Sequence, residues 1–242
     1  MNESTTVHLL SGGAAQGLVN QLQAQFQTRF RAKTQAQSGS TLAGNFGAVG
    51  VMKDRLLAGE ACDVIILTEA LIAQLTASGH VVASSARALG IVKTGIAVKA
   101  GELVPDVGNP TALKAALLGA TGIYFPDPVK ATVGIHFMKV LKSLGIDAEL
   151  AARLRPFPNG AAAMREMAQC PQAGLVGCTQ VTEILYTPGI KLVAPLPKEF
   201  ELATIYTAAV CTGATQPAMA TALIDLLVDA KNANLRRAAG FE

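Results

Sequence analysis

Between Tyr124 and Gly145 the chain reads YFPDPVKATVGIHFMKVLKSLG. A short apolar run stops at Pro-Asp-Pro, and a small-residue loop opens directly into an amphipathic helix. Pro126 and Pro128 mark the turn, because proline lacks a backbone donor and clashes with a preceding helical turn. Phe137, Leu141 and Leu144 then recur at +4 and +3, one face of a helix. Strand, loop and helix in this order build a parallel sheet covered by helices. The first turn of such a helix carries unpaired N–H groups and the positive end of its dipole, a seat for an anion.

The same rhythm runs along the chain. Thr6–Leu10 reads as a strand, Ser11-Gly12-Gly13 as a turn, and Leu18, Leu22, Phe26 and Phe30 as the apolar stripe of a helix. Lys33–Gln37 is the next expected strand, Ser38–Gly50 a loop rich in Gly and Ser, and Met52–Ala58 a helix stopped by Gly59. Val64–Leu67 and Glu69–Ala77 complete a β-α-β-α-β series. Leu89–Lys99 is a longer β run. Asn109-Pro110-Thr111 caps a helix over Ala112–Leu118, and Gly122–Phe125 is a strand. Arg153–Phe157 and Gly174–Gly177 are strands with a helix, Ala161–Ala168, between them. Leu202–Cys211 is a second long β run, and helices over Gln216–Val228 and Asp229–Ala239 close the chain. Two long β runs flanking a middle block predict two crossovers between lobes: residues 1–86 with 199–242 in one, 87–198 in the other. A cleft between them is where ligand sites preferentially occur.

Composition removes several function classes. Half of the 242 residues are hydrophobic and 15% are charged, so a large core is expected rather than disorder. A net charge of +3 with no basic run and no Trp argues against nucleic-acid binding. No stretch reaches the 18 consecutive apolar residues that span a bilayer. Met1–Thr6 lacks the basic and apolar regions of a secretory signal, so the chain reads as cytoplasmic or as the mature form of an exported protein. Cys62, Cys170, Cys178 and Cys211 show no metal-ligand spacing and read as small buried hydrophobes; a disulfide between two of them fits an exported chain. No metal and no cofactor are implied.

Four small-residue loops follow a strand and precede a helix: Ser11-Gly12-Gly13-Ala14, Gly47-Ala48-Val49-Gly50, Ala131-Thr132-Val133-Gly134 and Asn159-Gly160-Ala161. In parallel α/β sheets these lie at the carboxyl ends of strands, where ligands bind. Glycine permits close backbone approach, and Ser, Thr and Asn add neutral donors, so a small oxyanion or carboxylate is the natural ligand. The competing reading is that Gly and Ser simply suit tight turns. No P-loop or dinucleotide fingerprint is present.

These residues resemble the type II periplasmic solute-binding proteins, in the molybdate-binding-protein-like branch. The resemblance covers nearly the whole chain and is carried by DRLLAGEACDVIIL (Asp54–Leu67), YFPDPVKATVGIHFMKVLKSLGI (Tyr124–Ile146) and PGIKLVAPLPKEFELATIYTAAV (Pro188–Val210). It implies an α/β fold of two lobes, each a mostly parallel sheet flanked by helices, closing on an anion. The implied first contact falls within Ser11, Gly12, Gly13 and Ala14. The second falls at Ser40-Thr41 or at Ala48–Gly50, with Ala48 and Val49 the nearer donors. The third matches the Val133 N–H beside Thr132, and the fourth Asn159, Gly160 and Ala161. The family's closing tyrosine falls at Gly177, before Cys178, Thr179 and Gln180, which argues against molybdate itself and leaves room for a larger ligand.

A related group in this branch resembles aconitate isomerase, which moves a double bond in a tricarboxylate and needs an acid/base pair. Lys130 and His136 are the candidates for it, with Thr179 and Gln180 facing them and Arg55 a further cation near the second loop. Their ordinary readings are a solvated loop charge for Lys130, a packed face for His136 and a surface or cap contact for Arg55. Cys178 would need a base partner to act as a nucleophile, and no His lies near it in sequence. The resemblance therefore implies a monomeric periplasmic binding protein that delivers a small anion to an ABC-transporter permease. The alternatives are a cofactor-free isomerase of the same fold, or a cytoplasmic ligand sensor, for which no output module accompanies the lobes.

Overall fold

The computed structural model describes residues 6–34 and 41–242, and the chain divides into two compact units. Unit 1 comprises Met1–Ile91 and Ile205–Glu242, and unit 2 Val92–Thr204. No helix among the described residues is long and apolar enough to cross a membrane.

Unit 1 begins with β1 (Thr6–Gly12), a 3-10 turn (Gly13–Ala15), α1 (Gln16–Thr34), β2 (Thr41–Gly47), α2 (Val49–Leu57), β3 (Val64–Thr68) and α3 (Glu69–Ala77), then enters β4 (Arg87–Lys99). Strands β2, β1 and β3 are parallel neighbours, β1 pairing with β2 from Thr6↔Thr41 to Gly12↔Gly47. The expected strand at Lys33–Gln37 is corrected: α1 runs on to Thr34, and the strand lies in the stretch read as a Gly/Ser loop. β2, sequence TLAGNFG, has little strand propensity of its own; pairing with β1 imposes its conformation. Residues 35–37 and Ser40 lie outside the described residues.

Unit 2 continues through α4 (Pro110–Gly119), β5 (Gly122–Pro126), α5 (Thr132–Ser143), α6 (Asp147–Leu150), β6 (Leu154–Phe157), α7 (Gly160–Gln169), β7 (Leu175–Gln180), α8 (Val181–Tyr186) and β8 (Ile190–Pro195). β5 pairs in parallel with β6 and β7, while β4 pairs antiparallel with β7 and β8. Alternation along the strands divides the core. Ile96, Ile123, Phe125, Val176 and Cys178 pack with Leu113 and Leu117 of α4 and Phe137 and Leu141 of α5. Ala97, Tyr124 and Leu175 face the other way, against Met164 and Met167 of α7 and Ile184 of α8. This is the period-2 geometry of strands covered on both faces.

The chain returns to unit 1 along β9 (Ala203–Val210), then α9 (Pro217–Val228) and α10 (Ala233–Ala238). β9 lies antiparallel to β3, Val64 opposite Val210, and α9 packs on α1. Unit 1 thus has β2, β1 and β3 in parallel with β9 added antiparallel, and unit 2 has β6, β5 and β7 in parallel with β4 set antiparallel between β7 and β8. The single closing helix expected over Asp229–Ala239 is a 3-10 turn at Ala230–Asn232 followed by the short α10.

Candidate functional site

A helix that does not satisfy its own first-turn N–H groups leaves them for water or a ligand. Several helices here satisfy theirs. Thr68 accepts from Leu71 N at the start of α3, and Asn109 Oδ1 from Ala112 N (2.9 Å) at α4. At α9 the buried Asp63 carboxylate accepts from Thr215 N (2.7 Å) and Gln216 N (2.8 Å), and also from His8 N of β1 (2.8 Å). The N-cap residues of α6, α8 and α10 give no side-chain cap, and neither do those of three other starts: the 3-10 turn after Gly12, α2 after Ala48, and α5 after Ala131. These are three of the four loops that the sequence singles out. Their N-cap residues, Gly, Ala and Ala, have no polar side-chain atom that could cap a helix.

In unit 1 the first two loops are brought together by glycine. A Cβ on Gly12 would lie 2.8 Å from Val49 Cγ1 and 3.0 Å from Tyr206 Cε1, so β1 meets the first residue of α2 and a buried aromatic ring of β9 only because position 12 has no side chain. Gly13, Ala14 and Val49 are buried beside it. Ser11 is fully buried and its hydroxyl donates to Gly12 O (2.9 Å). Arg55, farther along α2, is held by Glu60, its Nε donating to Oε2 at 2.5 Å.

In unit 2 the third loop is built by Asp127. Its Oδ1 accepts from Val129 N (2.7 Å) and Lys130 N (2.8 Å), which fixes the Pro-Asp-Pro turn and leaves the Lys130 side chain exposed. Gly134 lets the first turn of α5 sit directly on that loop, since a Cβ there would fall 2.1 Å from Asp127 O. Thr132 and Val133 occupy the uncapped first turn, with Val133 buried. His136 is half-buried one turn later, its Nε2 2.8 Å from Phe200 O. A carbonyl only accepts, so Nε2 carries the proton and Nδ1 is the nitrogen left to take one.

The fourth loop is different. Asn159 caps α7 through Ala162 N (2.8 Å), and the buried Glu183 carboxyl accepts from Ala161 N, from Gln180 N and from the Thr179 hydroxyl at 2.5 Å. Burial pushes this carboxyl above its ordinary range, and the three donors oppose that rise. The acceptor at this helix start is therefore the chain's own. Gly160 makes the arrangement fit: a Cβ would lie 1.8 Å from Thr179 Oγ1. The expectation that Gly177 leaves space is also corrected. A Cβ there would stand 2.5 Å from Met164 Cε, so that side of β7 is packed core.

A family model for bacterial extracellular solute-binding proteins matches residues 7–242. The chain belongs to this family. Among solved structures, the periplasmic molybdate-binding protein of Azotobacter vinelandii superposes with a TM-score of 0.78 at 19% identity, over 98% of both chains. The sulfate-binding protein of Mycobacterium tuberculosis gives 0.71 at 18% identity, over 98% of this chain and 86% of that one. These likenesses establish the two-lobed type II fold. A curated relative, an aconitate isomerase from a Pseudomonas species, is 26% identical over 227 residues, 92% of this chain and 82% of its own.

For this solute-binding family member, the first-loop and α2 residues share one corner of unit 1, while Thr132, Val133, Lys130 and His136 share the start of α5 in unit 2. Asn159, Gly160, Ala161, Thr179 and Gln180 form a second cluster in unit 2, centred on Glu183. Reading the sequence alone misses two residues. Tyr206 sits within an apolar β run that gives no reason to place it against Gly12. Glu183 had one local signal: it lies three positions after Gln180 at a helix start, the spacing at which a Glu reaches back to the N-cap N–H.

Proposed function

We propose that this protein captures a small anion, a carboxylate or an oxyanion, on uncapped helix starts in each unit and delivers it to an ABC-transporter permease from the periplasm. The observation that carries the reading is the split among helix N-termini. Thr68, Asn109, Asn159 with Glu183, and Asp63 serve α3, α4, α7 and α9, while the turn after Gly12, α2 and α5 have small N-cap residues and no side-chain partner. Helix starts with bare N–H groups hold anions by hydrogen bonds and dipole without a formal positive charge. Gly12, Gly13, Ala14, Ala48 and Val49 are the contacts in unit 1, with Ser11 positioning the loop. Thr132 and Val133 are those in unit 2, with Lys130 supplying positive charge at the rim.

Because Glu183 fills the α7 start, a negative ligand group meets fewer donors in unit 2 than four open loops would offer. This favours a ligand that spreads its charge over separated carboxylates rather than a compact dianion. Thermal-shift measurement with molybdate, tungstate, sulfate, phosphate and di- and tricarboxylates tests the proposal. A selective rise with carboxylates is expected, and no rise with any of them would sink the binding reading.

The 26% relation to an aconitate isomerase supports a second reading, a cofactor-free isomerase of this fold. Shifting the double bond removes a proton from one carbon and returns one to another. His136 through Nδ1 and Lys130 are the candidate groups. Incubation with cis- or trans-aconitate and product analysis decides it: unchanged aconitate rejects this reading, and undiminished turnover in His136→Ala and Lys130→Ala excludes those two residues.

A further inference from the structure

Unit 1 is made of two stretches of chain separated by the whole of unit 2, so its sheet is complete only when β9 returns beside β3. Two cysteines stand at that junction. Cys62 is two residues before β3, and Cys211 directly follows β9. Cys211 N donates to Asp63 O at 3.0 Å, the last rung of the β3–β9 pairing, and the two sulfurs are 3.4 Å apart. Both are buried, Cys62 7% and Cys211 2% exposed, and no other side chain separates them. Cys178 is buried in the core of unit 2, and Cys170 lies near Tyr124 on the opposite face of that sheet.

We propose that Cys62 and Cys211 are the site of a structural disulfide, which forms as the chain folds in an oxidising compartment. The compartment, though not the pairing, rests on the periplasmic reading above. The sulfurs need to approach by little more than 1 Å to reach bonding distance of about 2.05 Å. The oxidant is a disulfide donor, either a small molecule or a protein. One cysteine thiolate attacks the donor's S–S bond and releases one thiol. The second cysteine thiolate then attacks the mixed disulfide and releases the other. Both cysteines lose their protons, the pair gives up two electrons, and the donor leaves as two thiols.

The bridge would join positions 149 apart and close a loop that contains all of unit 2. A loop of that length removes much conformational freedom from the unfolded chain. Neighbouring Asp63 adds to the effect, because it already holds β1 and the start of α9 through His8, Thr215 and Gln216. A covalent link there fixes the returning segment to the strand that it must find. In the folded chain the adjacent Cys62 sulfur and the buried position hold the Cys211 thiol far above its ordinary range, so little thiolate is present. Both sulfurs are buried, which keeps an external thiol from the folded bridge, so the bridge is structural rather than a reversible switch.

The test is oxidative refolding of the full chain. Reduced, unfolded protein is refolded in a mixture of oxidised and reduced glutathione, alkylated under denaturing conditions and mapped without reduction. A peptide linking Cys62 to Cys211 is expected, with Cys170 and Cys178 alkylated, and an intact mass 2 Da below that of the reduced chain before alkylation. The oxidised form should melt about 5–15 °C above the reduced form. Cys62→Ala/Cys211→Ala should melt with the reduced form and ignore reductant. Alkylation of all four cysteines, or linkage of any other pair, overturns the proposal. So does a melting point that reduction leaves unchanged, a comparison of wild-type protein that holds even where the double variant fails to fold. The pairing is read by mass and the ligand by thermal shift, so a bridged chain that binds no anion rejects the binding reading alone.

Discussion

Thr179 Oγ1 donates to the buried Glu183 carboxyl at 2.5 Å, and this contact closes the start of α7 with an acceptor from the chain itself. Glu183 also accepts from Ala161 N and Gln180 N, so one carboxyl serves the first turns of α7 and α8. Helix starts therefore fall into two kinds in this fold. Those with an internal acceptor are structural, and of those without one the three at small-residue loops, after Gly12, Ala48 and Ala131, are the candidates for ligand.

Glu183 gives stability a pH signature. Burial raises its folded-state value above the ordinary 4.5, so the folded chain holds this proton more tightly than the unfolded chain. Its contribution is then fully present below about 4.5 and is lost as pH rises through the raised folded value. Glu183→Gln removes the titration. Melting of both proteins from pH 4 to pH 8 should show wild type losing ground to the Gln variant as pH increases above 4.5. A pH-independent difference would contradict the assignment.

Asp63 is the corresponding acceptor in unit 1, 1% exposed and bonded to three backbone donors and the Thr215 hydroxyl. Asp63→Ala leaves buried N–H groups of β1 and α9 without an acceptor, at about 1–3 kcal/mol for each group that water cannot reach. A loss of roughly 3–5 kcal/mol in denaturant unfolding is expected at neutral pH. A loss below 1 kcal/mol would mean that water replaces the carboxylate.

The glycines separate in the same way. Gly160→Ala places a methyl group 1.8 Å from Thr179 Oγ1 and 2.0 Å from Glu183 Oε2, whereas the added carbon at Gly119, the last residue of α4, meets nothing within 4 Å. Gly160→Ala should cost about 1–3 kcal/mol by overpacking, and Gly119→Ala should gain up to about 1 kcal/mol from reduced unfolded-state freedom. Chemical denaturation of the pair checks both signs.

Much of this architecture was legible in the chain because it is written locally. Pro126, Asp127 and Pro128 announce a turn, Phe137 and Leu141 a helix face, and Asn109-Pro110 a capped start; all three stand as read. What escaped depends on partners distant in sequence. β2 is a strand because β1 lies beside it, not because TLAGNFG favours one. Asp63 serves a helix start 153 residues away, and Gly177 is glycine because Met164 of α7 fills the space above it. Of the site, the loops could be found from small residues before helices, but not which of them were already filled. That distinction needs the position of Glu183, which is 22 residues beyond the N–H that it takes.

The α5 start permits a direct test of the donor role. Thr132 is its first residue, and Ala131 before it is extended, φ −105° and ψ 129°, the conformation that a following proline requires. Proline is tolerated at this position because its missing N–H has no helical partner there. Thr132→Pro therefore deletes one backbone donor and one hydroxyl while leaving the helix able to form. Without ligand, the variant should melt within about 3 °C of wild type, equivalent to 1 kcal/mol or less in a chain of this size. With whichever anion of the panel stabilises wild type most, affinity should fall about tenfold or more, since each ten-fold step is 1.4 kcal/mol and a charge-assisted bond is worth about 1.5–3. Equal affinity in the two proteins would remove the start of α5 from the binding site.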